Sequence, residues 1–221
     1  MQSPGFVKKN VRIGRRAVEF CASDLSQEAA YKLLIGSVVP RPIAWISTLS
    51  RFGKVNLAPF SAFTFLSSKP PMIGVSIGRR DGKLKDTATN ILRDREFVVN
   101  VADMALIKSL HRSSFPYDEH ESEAEQLGLV TAASREIRPP RIVDAPINLE
   151  CTLHQALEFG DDQAQLFVGE VRWFYVRDPL CVNGKIDSFA LDPIARLGGP
   201  HYAGLGGKIT FGLRGALAPD P

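Results

Sequence analysis

Four cations, Arg79, Arg80, Lys83 and Lys85, fall within one short stretch that ends on Asp86-Thr87. The segment lies between a β-rich run and a helical one, so Asp86 or Thr87 is expected to cap the start of a helix. The first N–H groups of any helix lack an intrahelical partner. An anion such as phosphate placed there would accept those bonds and meet the positive end of the helix dipole. Lys85 is close enough in sequence to add a full charge, and the Thr87 hydroxyl can donate a further bond. Taken alone, the same residues also describe a solvated basic turn followed by a capped helix.

Other chemistries find less support. No Gly-x-x-x-x-Gly-Lys-Ser/Thr loop occurs, and the glycines at 198–199 and 204–207 lack the strand and helix that a dinucleotide fingerprint requires. The three cysteines, Cys21, Cys151 and Cys181, form no Cys-x-x-Cys pair, and the four histidines have no ligand spacing. A metal site is therefore not expected, and no triad or carboxylate pair stands out.

The chain has 221 residues, 44% of them hydrophobic, with a net charge of +3. That length suits one domain with decorations. The charge is too small and too scattered for a nucleic-acid-binding face. No run approaches the roughly 20 apolar residues of a membrane helix, and no apolar stretch follows the basic residues Lys8 to Arg16 as in a signal peptide. A cytoplasmic protein is the default expectation.

The elements that must position the basic turn can be read in order. In Asp24-Leu25-Ser26-Gln27 the Asp24 side chain, with Gln27 three positions later, supplies the capping acceptor for a short helix that Gly36 ends. Residues 43–49 and 55–60 read as strands around a loop containing Gly53, with Pro59 marking a bend or a sheet edge. Residues 63–66 and 72–77 are two more strands, 87–95 a helix, and 97–101 a strand. Asp103 opens a further helix through Leu110. Residues 112–145 suggest a polar surface excursion, and 149–159 and 165–176 are long strands joined at Gly160-Asp161-Asp162. About seven strands with two or three short helices, lacking a repeated strand–helix alternation, argue for a mostly β, antiparallel barrel.

Several ordered blocks also resemble the flavin reductase-like FMN-binding family. They are Val39-Pro40-Arg41-Pro42-Ile43-Ala44-Trp45-Ile46-Ser47-Thr48, then Gly53, Asn56-Leu57-Ala58-Pro59-Phe60-Ser61 and Phe63. Pro70-Pro71, Val75-Ser76-Ile77, Lys85-Asp86-Thr87 with Asn90, and Phe97 to Val101 continue the set. Gly169-Glu170-Val171 and Arg196-Leu197-Gly198-Gly199 with Tyr202 complete it.

The resemblance implies a Greek-key split β-barrel and a homodimer binding FMN non-covalently, with NAD(P)H as electron donor. It implies a domain over 23–205, flanked by an arm at 1–22 and a tail at 206–221. The phosphate is expected near Ser47, Thr48, Lys85 and Thr87, with Arg79 a weaker candidate and Arg80 and Lys83 background charge. Asn56, Ala58, Pro59, Phe60 and Ser61 are expected to wall the flavin ring through backbone groups that Pro59 frees from the ladder. Trp45 reads as core or as ring contact, and Ser76 belongs to the carried-over set. Arg196 and Tyr202 read as a structural pair or as residues near the flavin. Asn90 and Asn100 could simply satisfy backbone groups. One departure stands out: Gly160-Asp161-Asp162-Gln163 replaces a Gly-Asp-His pattern common in relatives, which bears on substrate specificity.

The activity implied is an FMN-dependent oxidoreductase of the NAD(P)H:flavin reductase type, delivering electrons to free flavin, another small molecule or a partner oxygenase. An FMN-binding electron carrier or flavin store, and an oxidase-like split-barrel flavoprotein, are the alternatives. The hydride step needs no dedicated acid or base, which agrees with the missing triad.

Overall fold

A computed structural model describes residues 17–210. The basic cluster Lys8 to Arg16 and the last residues of the expected tail lie outside the described residues. The described residues form two compact units, one running up to Val39 together with Leu197–His201, the other Pro40–Arg196 together with the residues from Tyr202 to 210.

In the smaller unit, helix α1 spans Gln27–Ser37, and the Ser26 hydroxyl accepts from Ala29 N–H at its start. Ser26, not Asp24, is therefore the cap, and Asp24 lies in a preceding 3-10 turn. Gly36 does not end the helix but lies inside its last turn. A Cβ on Gly198 would lie 3.4 Å from Gly36 Cα, so two backbones meet closely there.

The larger unit is built on seven strands: β1 Ala44–Leu49, β2 Val55–Phe60, β3 Phe63–Ser68, β4 Pro71–Ile77, β5 Glu96–Val101, β6 Ile147–Phe159 and β7 Ala164–Val176. They form one sheet in the order β2-β1-β5-β6-β7-β4-β3. Every pairing is antiparallel. Helix α2, Asp86–Asp94, carries the chain from β4 to β5, across the sheet order. Two-residue strands at 41–42, 195–196 and 202–203 make a small separate sheet.

Side chains alternate across a strand, and two apolar cores result. Ala44, Ile46, Val75, Ile77, Ile91, Phe97, Val99 and Phe167 fill the first. Trp45, Leu57, Leu110, Ile142 and Ile194 fill the second. Strand β1 serves both, with Ala44 and Ile46 in one and Trp45 in the other, so it is buried on both faces. Gly169 is required by packing, because a Cβ there would lie 2.5 Å from the Phe97 ring. A register shift between Val168 and Gly169 falls at the same place.

The excursion at 112–145 is more ordered than its polarity suggests. It follows helix α3 (Ile107–Arg112) and contains the single turn α4 (Glu123–Gln126) and paired residues at 131–132 and 141–142. The buried Glu150 carboxylate accepts from the N–H groups of Arg135 and Glu136, at 2.8 Å each, and fixes its second half. The first half is tied to the β1–β2 hairpin by the Arg51–Glu119 and Lys54–Glu125 ion pairs and by Phe52 stacked on His120.

Candidate functional site

Asp81 and Gly82 adopt φ values of +50° and +73°, and Arg80 and Lys83 exchange both backbone hydrogen bonds at 2.9 Å. This is the Asp-Gly hairpin turn with two left-handed central residues. It holds the basic stretch as a tight loop leading into α2. The N-cap of α2 is Lys85, one residue earlier than the sequence indicates, and its side chain makes no capping bond. Among the described residues no side chain accepts from the first-turn N–H groups, and Lys85 brings a charge to the same end.

Beneath that turn lies a buried polar network. Asn56 Nδ2 donates to Thr48 Oγ1 at 3.2 Å and to Thr87 Oγ1 at 2.9 Å, and Asn90 Nδ2 donates to Thr48 Oγ1 at 3.1 Å. All four side chains are buried. With its oxygen already accepting, the Thr87 hydroxyl proton remains available to a ligand.

A cleft of about 380 Å³ opens over this network. Ala58, Pro59 and Phe60 of β2 line it together with Asn56, Lys85 and Thr87. Lys85 Nζ lies 5.7 Å from the Phe60 ring centroid, and among the described residues no carboxylate pairs with it. Burial first, and then the neighbouring Arg80 charge, pull the Lys85 ammonium below its ordinary value. An anion in the cleft would oppose that shift.

The opposite wall comes from the excursion, through Ser113, Phe115, Tyr117 and Glu123. Sequence reasoning missed these residues. Glu123 Oε2 accepts from Leu57 N–H at 2.9 Å, so Leu57 turns its N–H outward from the open edge of β2. By alternation Pro59 faces the same way, where a missing N–H costs no ladder bond. The β1–β2 register runs unbroken from Val55 to Phe60. Pro59 therefore marks the sheet edge without lifting the chain from its partner, and the neighbouring Leu57 N–H is already engaged.

The remaining expected residues lie elsewhere. Ser47 points away from Thr48, donating to Pro140 O at 2.6 Å and accepting from Asn100 at 3.2 Å. Asn100 also donates to Trp45 O and accepts from Ile142 N–H, both at 2.9 Å, as a backbone-satisfying residue does. Trp45 is fully buried in the second core, its indole N–H donating to Ser113 Oγ at 2.8 Å. Arg79 binds Gln163 O and Gly82 O at 3.3 Å and pairs with Glu158, bracing two loops. Ser61 accepts from Arg41 at 3.4 Å, and Ser76 lies in the β4–β7 ladder opposite Leu166. Arg196 donates to Tyr202 Oη at 2.6 Å, and His111 Nδ1 lies 3.1 Å from the same oxygen. Among the described residues no cluster of His, Cys, Asp or Glu could hold a metal, and no helix is long and apolar enough to cross a membrane.

The family model described as the flavin reductase like domain matches residues 35–186, a span that holds all seven strands and the cleft. The chain belongs to the flavin reductase-like family. It is 39% identical to the uncharacterised protein YwrF of Bacillus subtilis, over 87% of this chain and 97% of that one. Nitrilotriacetate monooxygenase component B from Bacillus cereus superposes on this flavin reductase-like chain with a TM-score of 0.85 at 32% identity, over 92% of this chain and 100% of that one. The 2-nitrobenzoate 2-nitroreductase NbaA of Pseudomonas fluorescens gives 0.81 at 31% identity, with the same coverage. The barrel is thus the split barrel of this family, and the chain is a flavin-related oxidoreductase.

Proposed function

We propose that the chain binds FMN non-covalently and acts as an NAD(P)H-dependent flavin reductase, with the phosphate in the cleft at the start of α2. The observation that carries this reading is Lys85. It is a partly buried ammonium without a carboxylate partner, set beside uncapped first-turn N–H groups and above the Thr48–Asn56–Thr87–Asn90 network. Those donors and that charge fit a phosphomonoester.

In this reading Lys85 and Thr87 hold the phosphate, and Asn56 keeps the Thr87 hydroxyl turned so that its proton faces the ligand. Ala58, Pro59 and Phe60 continue the wall toward the ring. Bound FMN supplies a two-electron acceptor for hydride from the nicotinamide. The protein's part is to bind, orient and limit water.

The names of the two solved relatives, a monooxygenase component and a nitroreductase, support a role in which electrons pass to a partner oxygenase or to a small acceptor. A homodimer is part of the same reading. An apolar groove of about 540 Å³ runs past Phe63, Phe65, Met72 and Phe174, and Phe65 is 82% exposed. A second copy of the chain is the occupant proposed for it, and a nicotinamide donor goes with a cytoplasmic setting.

The test is reconstitution with FMN and anaerobic addition of NADH or NADPH. Reduction supports the reading. Tight FMN binding without oxidation of either nicotinamide would assign the chain as a carrier instead.

A further inference from the structure

The cations of the cleft are accounted for by a phosphate, but its buried acid is not. Glu123 is 7% exposed and lines the same cleft as Lys85, Asp86 and Thr87. One carboxylate oxygen accepts from Leu57 N–H, and among the described residues no cation pairs with the group.

Its charged surroundings are mixed. Asp86 faces it from α2, and Glu121 from the preceding turn. Arg80, Asp81, Lys83 and Lys85 line the basic side of the cleft, and Tyr117 lines the excursion side. Strand β2, beside which α4 lies, has no ionisable side chain between Val55 and Phe60. Lys54, just before that strand, is held by Glu125 of α4.

We propose that binding of an anion in this cleft is coupled to uptake of one proton by Glu123, which makes that residue the determinant of which ligand charge the site accepts. The inference rests on the phosphate-binding reading of the cleft.

A phosphate dianion and a buried carboxylate lining one small cavity repel each other strongly, because little water screens them. Protonating Glu123 from solvent removes the repulsion. The carboxyl group still accepts from Leu57 through one oxygen, and the other gains an O–H that can donate to the ligand. The free protein is already poised for this step. Burial first, with repulsion from Asp86 and Glu121 adding to it and the Leu57 bond opposing it, pushes the Glu123 carboxyl up to about 6. The coupling therefore operates close to neutral pH.

The experiment compares the full-length wild type with Glu123→Gln, which keeps an acceptor for Leu57 N–H. FMN and riboflavin are titrated into each at about pH 5.5 and about pH 8, on either side of the shifted carboxyl. Titration of the FMN phosphate itself affects both proteins equally and cancels in their ratio of Kd values. We expect that ratio, wild type over variant, to be near one at the acid pH and to approach about a hundredfold at the alkaline pH for FMN, because the carboxyl must then be protonated about two pH units above its own value. For riboflavin it should stay near one throughout.

A ratio for FMN that does not change with pH, in proteins that both bind FMN more tightly than riboflavin, would overturn the coupling and leave the phosphate site standing. Equal binding of FMN and riboflavin by both proteins would remove the phosphate site, and the coupling with it. Should the variant fail to fold, calorimetry of FMN binding to wild type at about pH 7, in two buffers of different ionisation enthalpy, counts the protons directly. Uptake beyond that due to the phosphate's own titration, together with a protonated-carboxyl band gained in the infrared difference spectrum on binding, supports the coupling, and the absence of that band overturns it.

Discussion

Asn56 Nδ2 lies 2.9 Å from Thr87 Oγ1, and this bond joins the edge strand β2 to the first turn of α2. The same amide reaches Thr48 at 3.2 Å, so one buried side chain links three elements under the cleft. Replacing Asn56 with Ala leaves Thr48 one bond short and frees the Thr87 hydroxyl to turn away from a ligand. The expected cost is about 1–3 kcal/mol of stability, together with weaker FMN binding. Denaturant unfolding and a flavin titration check both. Unchanged values would show that the network supports neither the fold nor the site.

Lys85 and Thr87 are the residues proposed to hold the phosphate. The double variant Lys85→Ala with Thr87→Ala should lose a few kcal/mol of FMN affinity, order of magnitude, through lost charge-assisted bonds. Riboflavin binding should change little, since it has no phosphate to lose. Equal losses for the two flavins in a folded variant would argue against the assignment.

Glu123 makes stability depend on pH in a definite direction. Its carboxyl is raised from 4.5 to about 6 in the folded protein, so between those values the native state holds more protons than the unfolded one. Stability must then fall as pH rises through that window and level off above it. The total is about 2 kcal/mol at 1.36 kcal/mol per unit. Flavin-free wild type should show this fall in urea midpoints, and Glu123→Gln should lack it. A variant with the same slope as wild type would assign the dependence to another group.

Gly169 meets the Phe97 ring too closely for a side chain, with a Cβ at 2.5 Å from Cζ. Phe97 is fully buried in the first core, so the ring can yield only by displacing its core neighbours. Gly169→Ala is expected to cost about 1–3 kcal/mol by overpacking, read as a lowered Tm. A Tm equal to wild type would mean that the β6–β7 bulge absorbs the methyl group.

The strands were legible because β-branched and aromatic runs such as 43–49 and 97–101 lie between Gly and Pro breaks. Lys85 and Thr87 were legible because an N-terminal turn is a local feature. The Asp81-Gly82 hairpin turn was equally local and carried a readable signal. Ser47 and Thr48 are adjacent in sequence, yet alternation along β1 sends them to opposite faces, so only Thr48 reaches α2. Glu123 lies 66 positions from Leu57. Its place in the cleft depends on how the excursion lies along β2, which no local pattern encodes. Ser26 displaced Asp24 as the α1 cap because the 3-10 turn at 22–24 delays the helix start by a few residues.

Bound FMN is the proposed acceptor of a nicotinamide hydride in this flavin reductase-like chain. Anaerobic mixing of the FMN-loaded protein with NADH, and separately with NADPH, tests it most directly. The visible flavin band is expected to bleach with at least one of the two at near-neutral pH. A band that stays unchanged with both, while a chemical reductant still bleaches it, would contradict a reductase role.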